Sequence, residues 1–246
     1  MQTWALYSLK GGVGKTAAAV NLAWEAAGAG RRVLLWDLDP QGAATWYLRT
    51  DDDPGMAAKK VVAGKVPLGR HVRPSRYARL DVLPADFSFR HMDALLKAAS
   101  GSKKVLRRLI EPFSENYHLL ILDCPPGIGT LAAGILRAAD QVLVPTVPTP
   151  LSLRALERVR EFADSENVPE ANLRPFYSLV DRRKRLHRDL LEHPPELMRG
   201  APKAWIGYSA DVERMGEARA PIGAFAPSSP AASQFHRLWK ALDKGR

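Results

Sequence analysis

Short apolar runs bounded by turn-forming residues recur along this chain, at residues 4–9, 33–38, 80–83, 119–122, 142–144 and 176–180 and around Trp205 and Ile206. Between them apolar residues return at helical spacing, most clearly over 16–27, 131–139 and 151–162. The first pattern predicts buried strands and the second predicts helices. Their alternation predicts an α/β fold, a three-layer α/β/α arrangement with a mostly parallel, twisted sheet covered by helices on both faces. Such sheets bind ligands at the carboxyl ends of their strands, so residues that directly follow a strand are the first candidates for chemistry. Residues 55–74 carry scattered Gly and Pro with weak periodicity, and read as a short helix with irregular connections. No internal repeat is evident, and 246 residues suit one domain over 1–246.

Three strand ends carry candidate chemistry. The first apolar run leads into Lys10-Gly11-Gly12-Val13-Gly14-Lys15-Thr16, and Ala17 opens an alanine-rich helix. A glycine-rich turn from strand to helix aims backbone N–H groups at a phosphate chain, and the helix N-terminus favours the same charge. Gly11, Gly12, Val13, Gly14, Lys15, Thr16 and Ala17 therefore form a phosphate cradle of P-loop type, with Lys15 on the β and γ phosphates and the Thr16 hydroxyl on Mg²⁺. The ordinary pattern has a glycine five positions before Gly14; this chain has Leu9 there, and a second lysine, Lys10, at the mouth of the loop.

The second run ends in Asp37-Leu38-Asp39-Pro40. The two acids alternate and so share a face, and Pro40 ends the extended segment. Beside a P-loop, one such carboxylate positions Mg²⁺ through water and the other orients an attacking water. The run over 118–122 delivers Asp123, followed by Cys124-Pro125-Pro126-Gly127. An apolar strand ending in aspartate is the Walker B arrangement, in which the carboxylate supports the Mg²⁺ shell, and Gly127 is spaced to offer its N–H to a γ-phosphate. Cys124 reads as a small buried residue, with no activating base near it in sequence.

Charge narrows the partners. The formal net charge is +10 and the pI about 9.9. Between Asp53 and Asp81 stand seven basic residues (Lys59, Lys60, Lys65, Arg70, Arg73, Arg76 and Arg79) and no acidic one, and Arg182-Arg183-Lys184-Arg185 with Arg188 forms a tighter cluster. A charge run is ordinarily a solvated face; two together are a candidate field for a polyanion. The single cysteine excludes a disulfide framework and any CxxC metal site, the six histidines show no ligand spacing, and no apolar run is long enough to span a membrane. The first strand begins almost at residue 1, which leaves no room for a signal peptide or a preceding helix-turn-helix, and the expected location is cytoplasmic.

The KGGVGKT run resembles the deviant Walker A motif of the ParA/MinD family of ATPases. The resemblance implies that Lys10 reaches across a dimer interface to the nucleotide of the partner subunit, so that ATP binding makes a homodimer. VLLWDLDPQGAAT, over 33–45, is similar to the family's second motif and implies that Asp39 is the hydrolytic carboxylate and Asp37 the metal-side one; Ala43 stands where the family has asparagine. DCPPG, at 123–127, resembles the family's third motif. Residues 142–146 and 150–156 resemble the strand and helix at its dimer face, and 226–232, with Pro227, the segment that encloses the adenine ring. Between Trp205 and Pro221 the chain departs from the family's arginine-bearing loop, so its DNA contacts are expected at Arg182, Arg183, Lys184 and Arg185 instead.

What the resemblance implies is an ATPase with ATP and Mg²⁺ as cofactors, slow until stimulated by a ParB-like or cargo-adaptor protein. It would bind DNA nonspecifically, associate with the nucleoid, and position or partition a plasmid, chromosome locus or protein cargo. The alternative is a MinD-like ATPase at a membrane surface. Phe235, Leu238, Trp239 and Leu242, flanked by Arg237, Lys240, Lys244 and Arg246, read either as an interfacial basic helix or as a last helix docked on the core.

Overall fold

A computed structural model describes residues 1–48, 58–99 and 102–243. Seven strands appear in chain order as β1 (Gln2–Leu6), β2 (Val33–Asp37), β3 (Arg73–Pro74), β4 (Leu80–Leu83), β5 (Leu119–Asp123), β6 (Gln141–Thr146) and β7 (Leu173–Tyr177). They form one sheet in the order β3-β4-β2-β5-β1-β6-β7, parallel throughout except for β3 against β4. The helices that matter to the site are α1 (Lys15–Gly28), α2 (Ala43–Tyr47), α3 (Ala58–Val62), α4 (Met92–Ala98), α5 (Ser102–Ile110), α6 (Thr130–Ala138), α7 (Pro150–Ser165), α8 (Arg185–Glu192), α9 (Ala210–Glu213), α10 (Met215–Ala218), α11 (Ile222–Phe225) and α12 (Pro230–Asp243).

Alternation along each strand sorts the core into two layers. Trp4 and Leu6 of β1, Val33 and Leu35 of β2, and Leu119 and Ile121 of β5 pack with Ala19, Leu22 and Ala23 of α1 and with Phe235, Leu238 and Trp239 of α12. Ala5, Leu34, Trp36, Leu120 and Leu122 face the other way, onto residues of α3, α4, α5, α6 and α7. The many alanines of α1 are what allow a helix to lie this close to the middle of the sheet. The same alternation, continued one step, sends Asp37 and Asp123 toward the α1 face, and the register pairs them directly across β2 and β5.

Several expectations change in detail. The first strand stops at Leu6 rather than running to residue 9, because the chain turns into the glycine loop. A two-residue antiparallel β3 precedes β4, so the strand ending in Asp123 is the fifth. Residues 58–72 form the expected short helix with connections that include a 3-10 turn at Leu68–His71, whereas Arg73 and Pro74 form β3; residues 55–57 and Asp53 lie outside the described residues. The strand expected around Trp205 and Ile206 is not one: this segment lies along the outer edge of β7, bonded through Ile206 N–H to Tyr177 O and Val180 N–H to Ile206 O, with one isolated bridge, Val180 to Gly207. Leu179, with φ +54, breaks the alternation that a ladder would need. Both edge strands carry a proline, Pro74 in β3 and Pro175 in β7. The apolar stripe of α12 is buried in the core, which decides its two readings in favour of docking; Lys244 and Arg246 lie outside the described residues. Among the described residues no helix is long and apolar enough to cross a membrane.

Candidate active site

The loop between β1 and α1 turns on two glycines in the left-handed region, Gly12 (φ +70) and Gly14 (φ +88). Gly14 is the N-cap of α1 and brings no side-chain cap, so the first N–H groups of the helix are open to an anion. It is required twice over, since a Cβ there would also lie 2.9 Å from Ser178 Oγ. Lys15 is buried and folds back over the loop, its Nζ donating to Lys10 O at 3.4 Å. Lys10 is exposed, and its backbone N–H donates to Ser8 Oγ. One lysine thus points into the cradle while the other stands out in solvent. Gly11 and Gly12 are exposed, Val13 is buried beneath the loop, and Thr16 and Ala17 are half-buried at the start of α1.

At the tips of β2 and β5 the two carboxylates are almost wholly excluded from water. Asp37 is well supported: Oδ2 accepts from Thr45 N–H at 2.9 Å and Thr45 Oγ1 at 2.8 Å, and Oδ1 accepts from Asp39 N–H at 3.3 Å. Burial still pushes its carboxyl up to about 6, against the lowering effect of those bonds. Neither carboxylate oxygen of Asp123 has a well-formed hydrogen bond, although the Thr16 hydroxyl acts on it as a donor. Burial and the neighbouring Asp37 raise it well above the usual carboxylate range, opposed by Thr16 and the Lys15 ammonium. Two buried carboxylates side by side with an orphaned pair of oxygens, next to a hydroxyl, suit a hydrated divalent cation. No cluster of three or more His, Cys, Asp or Glu side chains able to hold a metal exists among the described residues. Asp39 stands just past the strand, half-exposed, and its Oδ1 accepts from Gln41 N–H.

Gly127 is exposed with φ +120 in the loop between β5 and α6. Cys124 is buried, and burial pushes its thiol up, away from nucleophile chemistry. Pro227 lies exposed in the turn before α12. The basic cluster follows β7 at the same rim of the sheet as Ser178. Only part of it is free: Arg183 pairs with Asp181, Arg185 with Asp189, and Arg188 donates to the carbonyls of Arg182 and Arg183. Arg182 and Lys184 show no ion-pair partner among the described residues. His187, buried, accepts from Asp181 N–H and so ties the cluster to α8 in its neutral form. Sequence reasoning misses Thr45, Ser178, Asp93 and Tyr7. Thr45 lies inside the second motif and is findable there; Asp93, Ser178 and Tyr7 reach the site through tertiary packing alone.

The family profile described as AAA domain (AAA_31) matches residues 1–169, the part of the chain that contains all three motifs. The chain belongs to the ParA/MinD family of ATPases. Among relatives of this ParA/MinD protein, the sporulation initiation inhibitor protein Soj of Bacillus subtilis is 34% identical over 142 residues, 57% of this chain and 56% of Soj. The chromosome partitioning protein ParA of Myxococcus xanthus is 34% identical over 157 residues, covering 63% and 55%. A Pseudomonas putida protein is 31% identical over 175 residues, and even there the match spans only 65% of the relative. The chain thus spans less than two thirds of the relatives' lengths. Among solved structures, cobyrinic acid a,c-diamide synthase of Mycobacterium smegmatis with bound ADP and magnesium superposes with TM-score 0.80 at 26% identity, over 100% of this chain and 97% of that one. An ATP complex of McdA from Cyanothece gives 0.82 at 20% identity, over 100% and 98%, a likeness of fold.

Proposed function

We propose that this protein is an ATP-dependent dimerising ATPase that binds DNA nonspecifically and positions or partitions a DNA or protein cargo. The observation that carries the reading is the orphaned Asp123 carboxylate, paired across the sheet with Asp37 beside the buried Lys15. ATP and Mg²⁺ fit there, with the phosphates on the N–H groups of residues 11–17 and the ion held by Thr16 and, through water, by Asp37 and Asp123. Mg²⁺ supplies charge neutralisation of the β and γ oxygens. Lys15 neutralises phosphate charge in its own subunit, Asp39 orients the attacking water, and Gly127 offers its N–H to the γ-phosphate. The exposure of Lys10 supports a role in the partner's site, and Pro227 borders the adenine ring. Turnover is slow until an activating ParB-like or adaptor protein completes the site.

For DNA, the support is charge: Arg182 and Lys184 project without ion-pair partners at the rim where the nucleotide sits. Reversing both should weaken duplex binding alike for any sequence and lower the salt slope by about one per lost contact, leaving DNA-free ATPase activity unchanged. Co-sedimentation with ATP tests the reading directly. DNA should pellet the protein at low salt; binding to anionic liposomes instead of DNA would replace it with the membrane reading, and binding to neither would remove both.

A further inference from the structure

Tyr7 follows β1 directly, and its ring lies fully buried on the face of the sheet opposite α1. Its backbone N–H is held by Leu143 O at 3.0 Å, so the side chain starts from a fixed point. The hydroxyl donates to Gly127 O at 2.9 Å, across 120 residues of chain. Burial, with the adjacent Cys124 thiol acting in the same direction, pushes the phenol up, so it is a proton donor throughout the neutral range. Gly127 has φ +120, which side-chain-bearing residues rarely adopt, and nothing lies within 4 Å of where its Cβ would be. A side chain here would meet open space, so it is the backbone conformation alone that calls for glycine. The Tyr7 hydroxyl fixes the peptide plane between Gly127 and Ile128. At the far end of the loop, Asp93 accepts from Leu131 N–H at 2.7 Å, and a Cβ on Gly129 would collide with the same carboxylate.

We propose that Tyr7 is a positioning residue for ATP hydrolysis: its buried hydroxyl fixes the Gly127–Ile128 peptide, the plane that follows Gly127, and so limits the rotation about Gly127 that would swing the preceding Pro126–Gly127 N–H away from the γ-phosphate. The proposal rests on the reading of Gly127 given above. A donor aimed at developing charge helps most when it needs no reordering at the moment of reaction, and an untethered glycine is the residue that would need most.

Tyr7→Phe removes the hydroxyl and keeps the ring. Turnover at saturating ATP and Mg²⁺ should fall about 3- to 10-fold, the range that one lost hydrogen bond supplies. Dissociation constants for ATP and ADP should stay within about twofold, since the P-loop is untouched. In the nucleotide-free protein, amide exchange of Ile128 and Gly129 should accelerate while the melting temperature changes little. Unchanged exchange, or faster exchange with unchanged turnover, overturns the proposal. So does an equal weakening of ATP and ADP binding, which would make Tyr7 a prop for the P-loop. Combined with Gly127→Ala, the loss from Tyr7→Phe should disappear; additive losses overturn the coupling. Full turnover in Gly127→Ala alone fails at a different place, the contact of Gly127 with the γ-phosphate, while the exchange measurement still reports whether the tether exists.

Discussion

Asp123→Asn should stabilise the nucleotide-free protein while destroying its response to Mg²⁺ and ATP. The substitution keeps the shape of the side chain and removes a carboxyl group that is buried without a well-formed hydrogen bond to either oxygen. Asp37 provides the yardstick. Holding its carboxyl at about 6, against the ordinary 3.8, costs about 3 kcal/mol of folding free energy at neutral pH, even with Thr45 and Asp39 donating to it. Asp123 is as deeply buried, and burial and the neighbouring Asp37 shift it in the same direction against Thr16 and Lys15. In both cases the folded chain keeps a proton that the unfolded chain gives up. Stability is therefore full below about pH 4 and falls as pH rises, to about 6 for Asp37 and in the same direction for Asp123. The variant should be more stable than the native protein at pH 8 and converge with it near pH 4. Thermal unfolding in magnesium-free buffer from pH 4 to 8 measures this, and repetition with Mg²⁺ and ATP should reverse the order. A variant no more stable than the native chain at pH 8, or an offset that does not change with pH, would refute the argument that burial opposes ionisation of Asp123 until a cation is bound.

Lys15→Ala should abolish nucleotide binding by titration calorimetry, whereas Lys10→Ala should bind ATP as a monomer and fail to dimerise; equal losses of affinity would make Lys10 an ordinary ligand of its own subunit. Asp39→Ala should bind Mg²⁺ and ATP and persist as a dimer in size-exclusion chromatography, because only the water is lost; a monomer with normal turnover would remove Asp39 from the chemistry. Gly14→Ala should lower ATP affinity at least about tenfold, since a left-handed φ and the close Ser178 hydroxyl both oppose a methyl group. Adding Ser178→Ala should recover part of that loss, and complete recovery would show that the backbone conformation is not the constraint.

The nucleotide motifs are legible in sequence because each is local: the glycine turn, Asp37 with Asp39, and Asp123 all sit within a few residues of the end of an apolar run. The sheet order is not, and it is the sheet order that turns Asp37 and Asp123 into one buried pair. Trp205 and Ile206 mislead because an apolar run beside a sheet edge has the composition of a strand, while pairing depends on what lies next to it, here β7 distorted at Leu179. The basic cluster is visible as charge, yet charge along a sequence does not say which cations are already paired. Asp181 and Asp189 quench Arg183 and Arg185, and leave Arg182 and Lys184. Tyr7 cannot be read from its neighbours at all, since its partner is 120 residues away.

The two edge strands limit how copies of this chain can associate. Pro74 and Pro175 each lack an N–H, and on β7 the missing donor is on the outward side, because Ser178 N–H, an odd number of residues along, turns inward to Thr146 O. The segment through Ile206 and Gly207 then covers the carboxyl end of that same edge. A strand from another molecule would find an interrupted row of partners on either side, which protects a crowded population of this protein from fusing sheet to sheet. Self-association is left to loops and helices, and under the proposed function it falls to the face that carries Lys10, where it would depend on bound nucleotide instead of on an open sheet edge.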